Sequence, residues 1–334
     1  MKTIKIKFSG MWGGFNEKDN FIYNILKRKY NVVFSNNPDY LFYSVFSKDY
    51  LKYNCVRIFY TAENIAPDFN ICDYAIGFHF IDFEDRYIRY PLYLQDQYSK
   101  DLVLAENKHK IVDKTLSEKK AFCSFVYTNA DAAPCREIFF QKLSNYKKVN
   151  SGGRFLNNIG KIVEDKLAFQ KQHKFSLAFE NSSSPGYTTE KLVQAFSAGT
   201  VPIYWGDPTV SRIFNEKAFI NCKNLDRDGN IIEIESIINR IIEIDNDDNL
   251  YRSMLEAPIF NYNYSTCEQK RLLEAFLDNI FEQELENAYR RNRYYWGERY
   301  ERKQKIGNSF YHICRKGIPI RDFICNISNN TRRK

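Results

Sequence analysis

Cysteine pairs at metal-ligand spacing are missing from this chain. Its eight cysteines stand at positions 55, 72, 123, 135, 222, 267, 314 and 325, with no Cys-x-x-Cys and no regular framework. That distribution argues against a zinc cluster and a disulfide scaffold, and for buried free thiols in a reducing compartment. Histidine is equally sparse: His79, His109, His173 and His312 are dispersed and form no ligand set. The opening Met-Lys-Thr-Ile-Lys-Ile-Lys-Phe is strand-like, too short and too charged for a signal peptide or membrane anchor. The expected location is the cytoplasm. Asp-x-Asp, which many sugar-transferring enzymes use to hold a divalent ion, occurs only as Asp226-Arg227-Asp228 and Asp245-Asn246-Asp247. Both strings lie in polar, turn-like stretches and are short enough to arise by chance, so no catalytic metal and no cofactor are expected.

What is present is a chain of 334 residues, 44% hydrophobic and rich in aromatics, with 24 Tyr and 27 Phe. That length suits two core-bearing domains, and most of the aromatic side chains belong in their cores. The first third alternates short apolar runs with helical or turn segments: Ile4 to Phe8, a helix over Glu17 to Lys29, then Val32 to Phe34, Tyr40 to Val45, Val56 to Tyr60, Tyr74 to Phe78 and Tyr87 to Tyr90. Alternation at this spacing predicts a parallel α/β sheet. Residues 101–120 turn polar and lysine-rich, which places a boundary at 118/119. A second series then runs from the strand Ala121 to Tyr127 through a helix at Glu137 to Leu143 and a strand at Lys147 to Val149. It continues to a strand at Ala218 to Ile220 and helices near Ile231 to Ile244 and Glu268 to Glu286. The expected domains are 1–118, 119–286 and a basic aromatic tail, 287–334.

Residues 175–206 carry the densest signal. The apolar run Phe175 to Phe179 is followed by small turn formers, then Leu192, Ala195, Phe196 and Gly199 at helical spacing, then the buried-type run Val201 to Trp205. This is a βαβ crossover, and in a doubly wound sheet ligands bind at the carboxyl ends of the strands beside the helix N-terminus. Thr188 is the expected cap, which puts Glu190 and Lys191 in the first helical turn. A lysine there opposes the helix dipole by a few tenths to about 1 kcal/mol and calls for a negative partner such as a diphosphate.

The runs Phe-x-Leu-x-Phe-Glu-Asn-Ser, Gly-Tyr-x-Thr-Glu-Lys and Ala-Gly-x-Val-Pro-Ile-Tyr-Trp-Gly, contiguous and in order, resemble the family 10 fucosyltransferases, α-1,3/4 enzymes that use GDP-fucose. The resemblance extends upstream through Tyr60-Thr61-Ala62-Glu63-Asn64 and Ser151-Gly152-Gly153-Arg154, and is most like the soluble bacterial members. It implies the GT-B glycosyltransferase architecture, two Rossmann-like domains facing a cleft, and inverting transfer of L-fucose from GDP-fucose to the 3-hydroxyl, or the 4-hydroxyl, of N-acetylglucosamine in a glycan such as N-acetyllactosamine.

That chemistry needs a base for a poorly nucleophilic sugar hydroxyl and cations for the departing GDP. Glu63 follows the strand Val56 to Tyr60 and is the expected base. The resemblance places it in a Thr-Gly-Glu-Asn pattern, read here as Thr61-Ala62-Glu63-Asn64. Alanine in place of glycine matters only if the backbone there needs a positive φ. Arg154, after a Gly-Gly turn, and Lys191 are the expected cations for the diphosphate. Tyr187 by packing, Glu190 through the ribose hydroxyls, Thr188, Thr189, Asn181, Tyr127 and Lys147 complete the expected donor-binding set, with Glu180 bracing the loop. Trp12 is a candidate for stacking on an acceptor sugar or for an aromatic staple between the domains.

Basic residues gather in the tail, with Arg290, Arg291, Arg293, Arg299, Arg302, Lys303, Lys305, Arg315, Lys316 and Arg321 interleaved with Phe310, Tyr311, Ile313, Ile318, Ile320, Phe323 and Ile324. An anionic membrane surface is the partner this composition suits, which would make the protein peripheral on the inner membrane face. The alternative is a solvated extension. No nucleic-acid reading motif is present. Two further readings stay open on the same fold: a catalytically silent glycan- or membrane-binding protein, and a transferase that uses another nucleotide sugar.

Overall fold

The structure is a computed structural model and describes residues 1–229 and 231–315. Among these, residues 1–77, 82–88 and 274–315 make one unit and residues 78–81 and 89–273 a second.

The first unit is built on a six-stranded sheet of β1 (Thr3–Ser9), β2 (Asn31–Phe34), β3 (Tyr40–Tyr43), β4 (Val56–Tyr60), β5 (Tyr74–Gly77) and β6 (Tyr87–Arg89), in the order β2-β1-β3-β4-β5-β6. The pairings among β1 to β5 are parallel. Every residue of β3, β4 and β5 is buried, as expected for parallel strands covered on both faces. In β1, Ile4, Ile6 and Phe8 are buried while Lys5 is exposed. Helix α1 (Phe21–Lys29) starts later than the expected Glu17. Asn20 caps it by accepting from Tyr23 N at 2.9 Å, and the residues before it form a turn.

The second unit opens with α2 (Ser99–Glu106) and α3 (Val112–Glu118). Its five-stranded sheet holds β7 (Ala121–Phe125), β8 (Val149–Ser151), β9 (His173–Phe179), β10 (Val201–Trp205) and β11 (Ile220–Asn221), all parallel, in the order β11-β10-β9-β7-β8. The connections carry α4 (Cys135–Tyr146), α5 (Lys166–Lys171) and α6 (Glu190–Ser197); α7 (Ile231–Asn246) and α8 (Asp248–Glu256) follow. Gly199 ends α6 at φ +62°, and a Cβ there would lie 2.7 Å from Thr115 Cγ2, so this glycine stops the helix and admits α3. The fully buried Phe139, Phe175, Leu143, Val201 and Ile203 form the centre of the core, each contributing about 1.5–3 kcal/mol.

The chain passes into the second unit near residue 89 and not at 118/119. The polar stretch read as a boundary folds as α2 and α3, because Leu102, Ala105 and Val112 are buried. Lys108 is buried as well and donates to the carbonyls of Met254 (3.0 Å), Leu255 (2.5 Å) and Ala257 (2.9 Å), closing the C-terminal end of α8.

α9 (Thr266–Glu282) takes the chain back to the first unit, where Phe281 packs its ring against Tyr40 and Phe42 at centroid distances of 4.5 and 6.2 Å. α10 (Trp296–Arg315) follows. The expected appended tail is therefore part of the first unit over the described residues. Arg290 pairs with Asp85 and the buried Arg291 with Asp73, so two of the cations assigned to a free surface neutralise carboxylates. Tyr300 donates to Asp68 at 2.8 Å, and Glu301 receives the buried Arg57 guanidinium at 2.9 and 3.0 Å. Lys316, Arg321, Ile318, Ile320, Phe323 and Ile324 lie outside the described residues. No helix among the described residues is long and apolar enough to cross a membrane.

Candidate active site

Strand order sets the place of the site in the second unit. From β7 the chain goes to β8 at one edge, then returns to the other side of β7 as β9 and continues outward to β10 and β11. Loops leaving β7 and β9 therefore part in opposite directions, and the crevice at such a switch point is where open α/β sheets bind ligands. A cavity of about 200 Å³ lies there. It is lined by residues 126–129 after β7, Leu177 and Asn181 from β9 and its end, Lys166 and Gln170 on α5, and Glu190 and Lys191 in the first turn of α6.

Glu180 organises this end of α6. Fully buried, it accepts from Thr189 N (2.8 Å) and Thr189 Oγ1 (2.7 Å) and receives Lys191 Nζ at 3.0 Å. The cap residue is thus Thr189 and not Thr188, and its hydroxyl serves Glu180 instead of the helix. Thr188 Oγ1 donates to Asp207 Oδ2 (2.9 Å), which also takes Gly186 N on Oδ1 (2.8 Å) and so closes the loop before α6. Gly206, at φ +152°, is required here, since a Cβ would meet Glu180 Cγ at 2.3 Å.

Lys191 also approaches Glu190 Oε1, at 3.5 Å. Burial works against its charge, but the two carboxylates outweigh that and hold the ammonium well above the usual lysine range. Burial raises Glu180. Burial would also raise Glu190, yet Lys191 and Lys166 together hold it below the usual carboxylate range. The negative partner that the first-turn lysine demands is met within the protein by these acids.

Around this cluster the expected donor residues separate. Asn181 lines the cavity and accepts from the buried Arg136 at 3.1 Å. Tyr127 lines it too, but its hydroxyl is tied to β9, donating toward Leu177 O and Phe179 O (3.0 and 3.1 Å) and accepting from Phe179 N (2.6 Å). Its ring lies under the Arg136 guanidinium at 4.5 Å, and its carbonyl accepts from Phe155 N at 2.9 Å. Arg154 is exposed, with no ion-pair partner among the described residues. Its turn is clamped to Tyr127, because Gly153 lies so close that a Cβ would be 2.0 Å from Tyr127 O. Lys191 and Tyr127 thus line the cavity, whereas Arg154 is not among its lining residues and is tied to it only through the turn packed on Tyr127.

Two of the expected donor-binding residues do not line this cavity. Tyr187 is 3% exposed and packs edge-on against Phe78 at 4.9 Å, so its ring is a wall of the loop and not a face of the cavity. Lys147 stands before β8, at the amino end of the sheet, where it donates to Asp245 at 2.6 Å. Spacing along the chain put it near the glycine turn, but the length of β8 carries it to the opposite end of the strand. Asp245 is also paired with Lys174 (2.8 Å), Asp247 caps α8, and Asp226 accepts from Gly229 N. Both Asp-x-Asp strings thus have structural tasks, and among the described residues no cluster of His, Cys, Asp and Glu is placed to hold a metal.

In the first unit Glu63 follows β4 and is exposed, its backbone N–H held by Thr61 Oγ1 at 3.1 Å. Ala62 has no positive φ, so alanine fits where the resembling pattern has glycine. Trp12 is half-buried, its ring edge-on to Phe15 and Tyr60 of the same unit at 5.0 and 5.9 Å.

Sequence reasoning missed Arg136, Lys166, Gln170 and Asp207. Only Asp207 sits beside a motif, directly after Trp205-Gly206; the others reach the crevice by folding of helices whose own sequences carry no signature.

Comparison with known proteins identifies the family and the fold. The α-(1,3)-fucosyltransferase FucT N-terminal domain matches residues 6–98, and the glycosyltransferase family 10 (fucosyltransferase) C-terminal domain matches residues 116–275. An α-(1,3)-fucosyltransferase FucT of Helicobacter pylori is 32% identical over 84% of the chain, which spans 66% of that relative's length. A crystal structure of an α1,3-fucosyltransferase with GDP-fucose superposes with a TM-score of 0.69 at 30% identity, covering 83% of this chain and 91% of that one. Its counterpart with GDP gives 0.71 at 30% identity, covering 85% and 91%. The expected fold class, α/β with two parallel-sheet domains of the GT-B type, is that of these structures, and the chain belongs to glycosyltransferase family 10, the fucosyltransferases.

Proposed function

We propose that this protein transfers L-fucose from GDP-fucose, with inversion, to the 3-hydroxyl of N-acetylglucosamine in a glycan acceptor such as N-acetyllactosamine. The observation that carries the reading is the cavity at the switch point between β7 and β9, which Glu190 and Lys191 line from the first turn of α6; Arg154 stands exposed in the glycine turn packed on Tyr127, with no ion-pair partner among the described residues. As the bond from the fucose anomeric carbon to the diphosphate breaks, charge grows on the departing GDP, and these cations stabilise it. Glu63, at the carboxyl end of β4, takes the proton of the attacking hydroxyl as the new glycosidic bond forms. Glu190 accepts from the ribose hydroxyls and Asn181 contacts the donor.

The two cations supply the charge that a divalent ion would bring, so the reaction runs without metal. The test is transfer of labelled fucose from GDP-fucose to N-acetyllactosamine, with and without EDTA. Turnover unaffected by EDTA is expected. No transfer from GDP-fucose, or transfer from a UDP-sugar instead, overturns the reading, and complete loss in EDTA overturns the metal-free part of it.

A further inference from the structure

At the opposite end of β4 from Glu63 the first unit holds a cavity of about 650 Å³, lined by the segment that leads into β4 and by the start of α10. No residue of the second unit lines it. Six cations do: Lys52, Arg57, Arg291, Arg293, Arg302 and Lys305. Arg57 and Arg291 are buried in its floor, whereas the other four are at least partly exposed.

Carboxylates answer most of this charge, but not all of it. Glu301 alone serves both Arg57, at 2.9 and 3.0 Å, and Lys305, at 2.8 Å. Glu298 meets Arg302 at 2.7 Å, Asp49 meets Lys52 at 2.5 Å, and Asp73 meets Arg291. Arg293 has no ion-pair partner among the described residues; its guanidinium lies on the Tyr289 ring at 3.5 Å. Six cations thus face four carboxylates, an excess of two positive charges around one cavity. Gly297, in the first turn of α10, lines it too and adds the positive end of a 20-residue helix.

Charges of one sign gathered in a cleft raise the local potential and draw in a counter-ion. An occupant with two negative charges balances this excess. Guanidinium forks match the oxygens of a phosphate, and a phosphomonoester carries about −1.5 to −2 near neutral pH. The volume exceeds that of a bare ion and falls within the roughly 300–1,000 Å³ of sites for small organic molecules. Tyr53 and Asn54 add neutral polar groups to the wall, which suit hydroxyls.

We propose that this cavity binds a phosphomonoester of a small hydroxylated compound, its phosphate balanced by Arg293 and by the two cations that share Glu301, apart from the nucleotide crevice. The full chain, saturated with GDP, is titrated calorimetrically with glucose 6-phosphate, inorganic phosphate and glucose. Both phosphates bind, the ester more tightly, and glucose gives no response. Arg293→Gln and Lys305→Gln each weaken the ester by about three- to tenfold. Lys305 is half-exposed on α10, so its variant keeps the fold, as an unchanged melting temperature verifies. Glu301→Gln releases Arg57 and Lys305 and strengthens the ester by about threefold or more, a gain that a merely structural cluster would not give. GDP affinity, titrated separately, stays within about twofold in all three variants. No response to the ester, a response unmoved by the three variants, or one abolished by GDP overturns the proposal. So does binding confined to phosphatidylcholine vesicles doped with phosphatidic acid, without any response to the soluble ester.

Discussion

The Lys191 ammonium is bonded to the fully buried Glu180 carboxylate at 3.0 Å, and both groups share the hydroxyl of Thr189, the residue that opens α6. The lysine is therefore fixed before any diphosphate arrives, and its removal has two separable effects. Lys191→Met lowers kcat/KM by roughly 10²–10³, the usual cost of losing a preorganised charge at a leaving group. It also leaves Glu180 buried without its cation, so the melting temperature falls with it.

Glu180→Gln acts differently. The amide still reaches Thr189, and Glu190 still faces Lys191 at 3.5 Å, so GDP affinity is expected within a few-fold of wild type. Stability drops by about 1–3 kcal/mol as one ionic hydrogen bond is lost, read from chemical denaturation. GDP binding that disappears while the fold is unchanged would mean that Glu180 touches the nucleotide.

Glu63→Gln removes the proton acceptor and keeps the shape of the loop after β4. Turnover with GDP-fucose and N-acetyllactosamine should fall by roughly 10²–10⁴. GDP binding, measured by calorimetry, should stay within about twofold. Near-normal turnover in this variant would move the base elsewhere.

Arg57 and Glu301 give a prediction about stability and pH. Arg57 is 1% exposed on β4, and its guanidinium meets Glu301 of α10 in a two-point contact. Burial pushes the Glu301 carboxyl up, but Arg57 and Lys305 outweigh it and hold it at about 2, against an ordinary 4.5. A carboxyl lowered in the folded state stabilises fully above its unfolded value and loses that contribution as pH falls through the folded one. Unfolding free energy should therefore decline as pH drops from about 4.5 toward 2, and less steeply in Glu301→Gln. At neutral pH, Glu301→Ala strands a buried guanidinium and costs about 3 kcal/mol.

Gly153→Ala forces a Cβ to within 2.0 Å of the Tyr127 carbonyl oxygen. The turn must move, at a cost of about 1–3 kcal/mol, and it takes Arg154 with it. Weaker GDP binding together with a lowered melting temperature is the expected outcome. Unchanged values for both would show that the turn is loose.

Local pattern carried much of this protein. Short apolar runs with turn formers at both ends specify β1, β4, β9 and β10, because a buried parallel strand needs little else, and the spacing of Leu192, Ala195 and Phe196 specifies α6. Lys191 and Glu190 were legible for the same reason: position in a first helical turn is a property of a few adjacent residues.

Residues whose task depends on a distant partner were not legible. Thr188 and Thr189 are adjacent, yet one serves Asp207 and the other Glu180, and only the fold decides which. Lys147 looked close to the glycine turn in sequence but sits at the other end of β8. Polarity over 101–120 suggested a boundary, where the buried Lys108 instead closes α8 with its ammonium. Arg290 and Arg291 read as tail charge and turned out to be partners of Asp85 and Asp73.

By itself the chain's sequence determined its parallel α/β class, its family, the strand that ends at Glu63 and the helix that begins with Glu190 and Lys191. Only the tertiary structure decided which further side chains meet at the β7/β9 crevice, among them Lys166 and Gln170, with Arg136 behind Asn181. The reason is physical: secondary structure answers to neighbours a few residues away, whereas a site at a sheet's switch point is assembled from loops and helices that only strand order brings together.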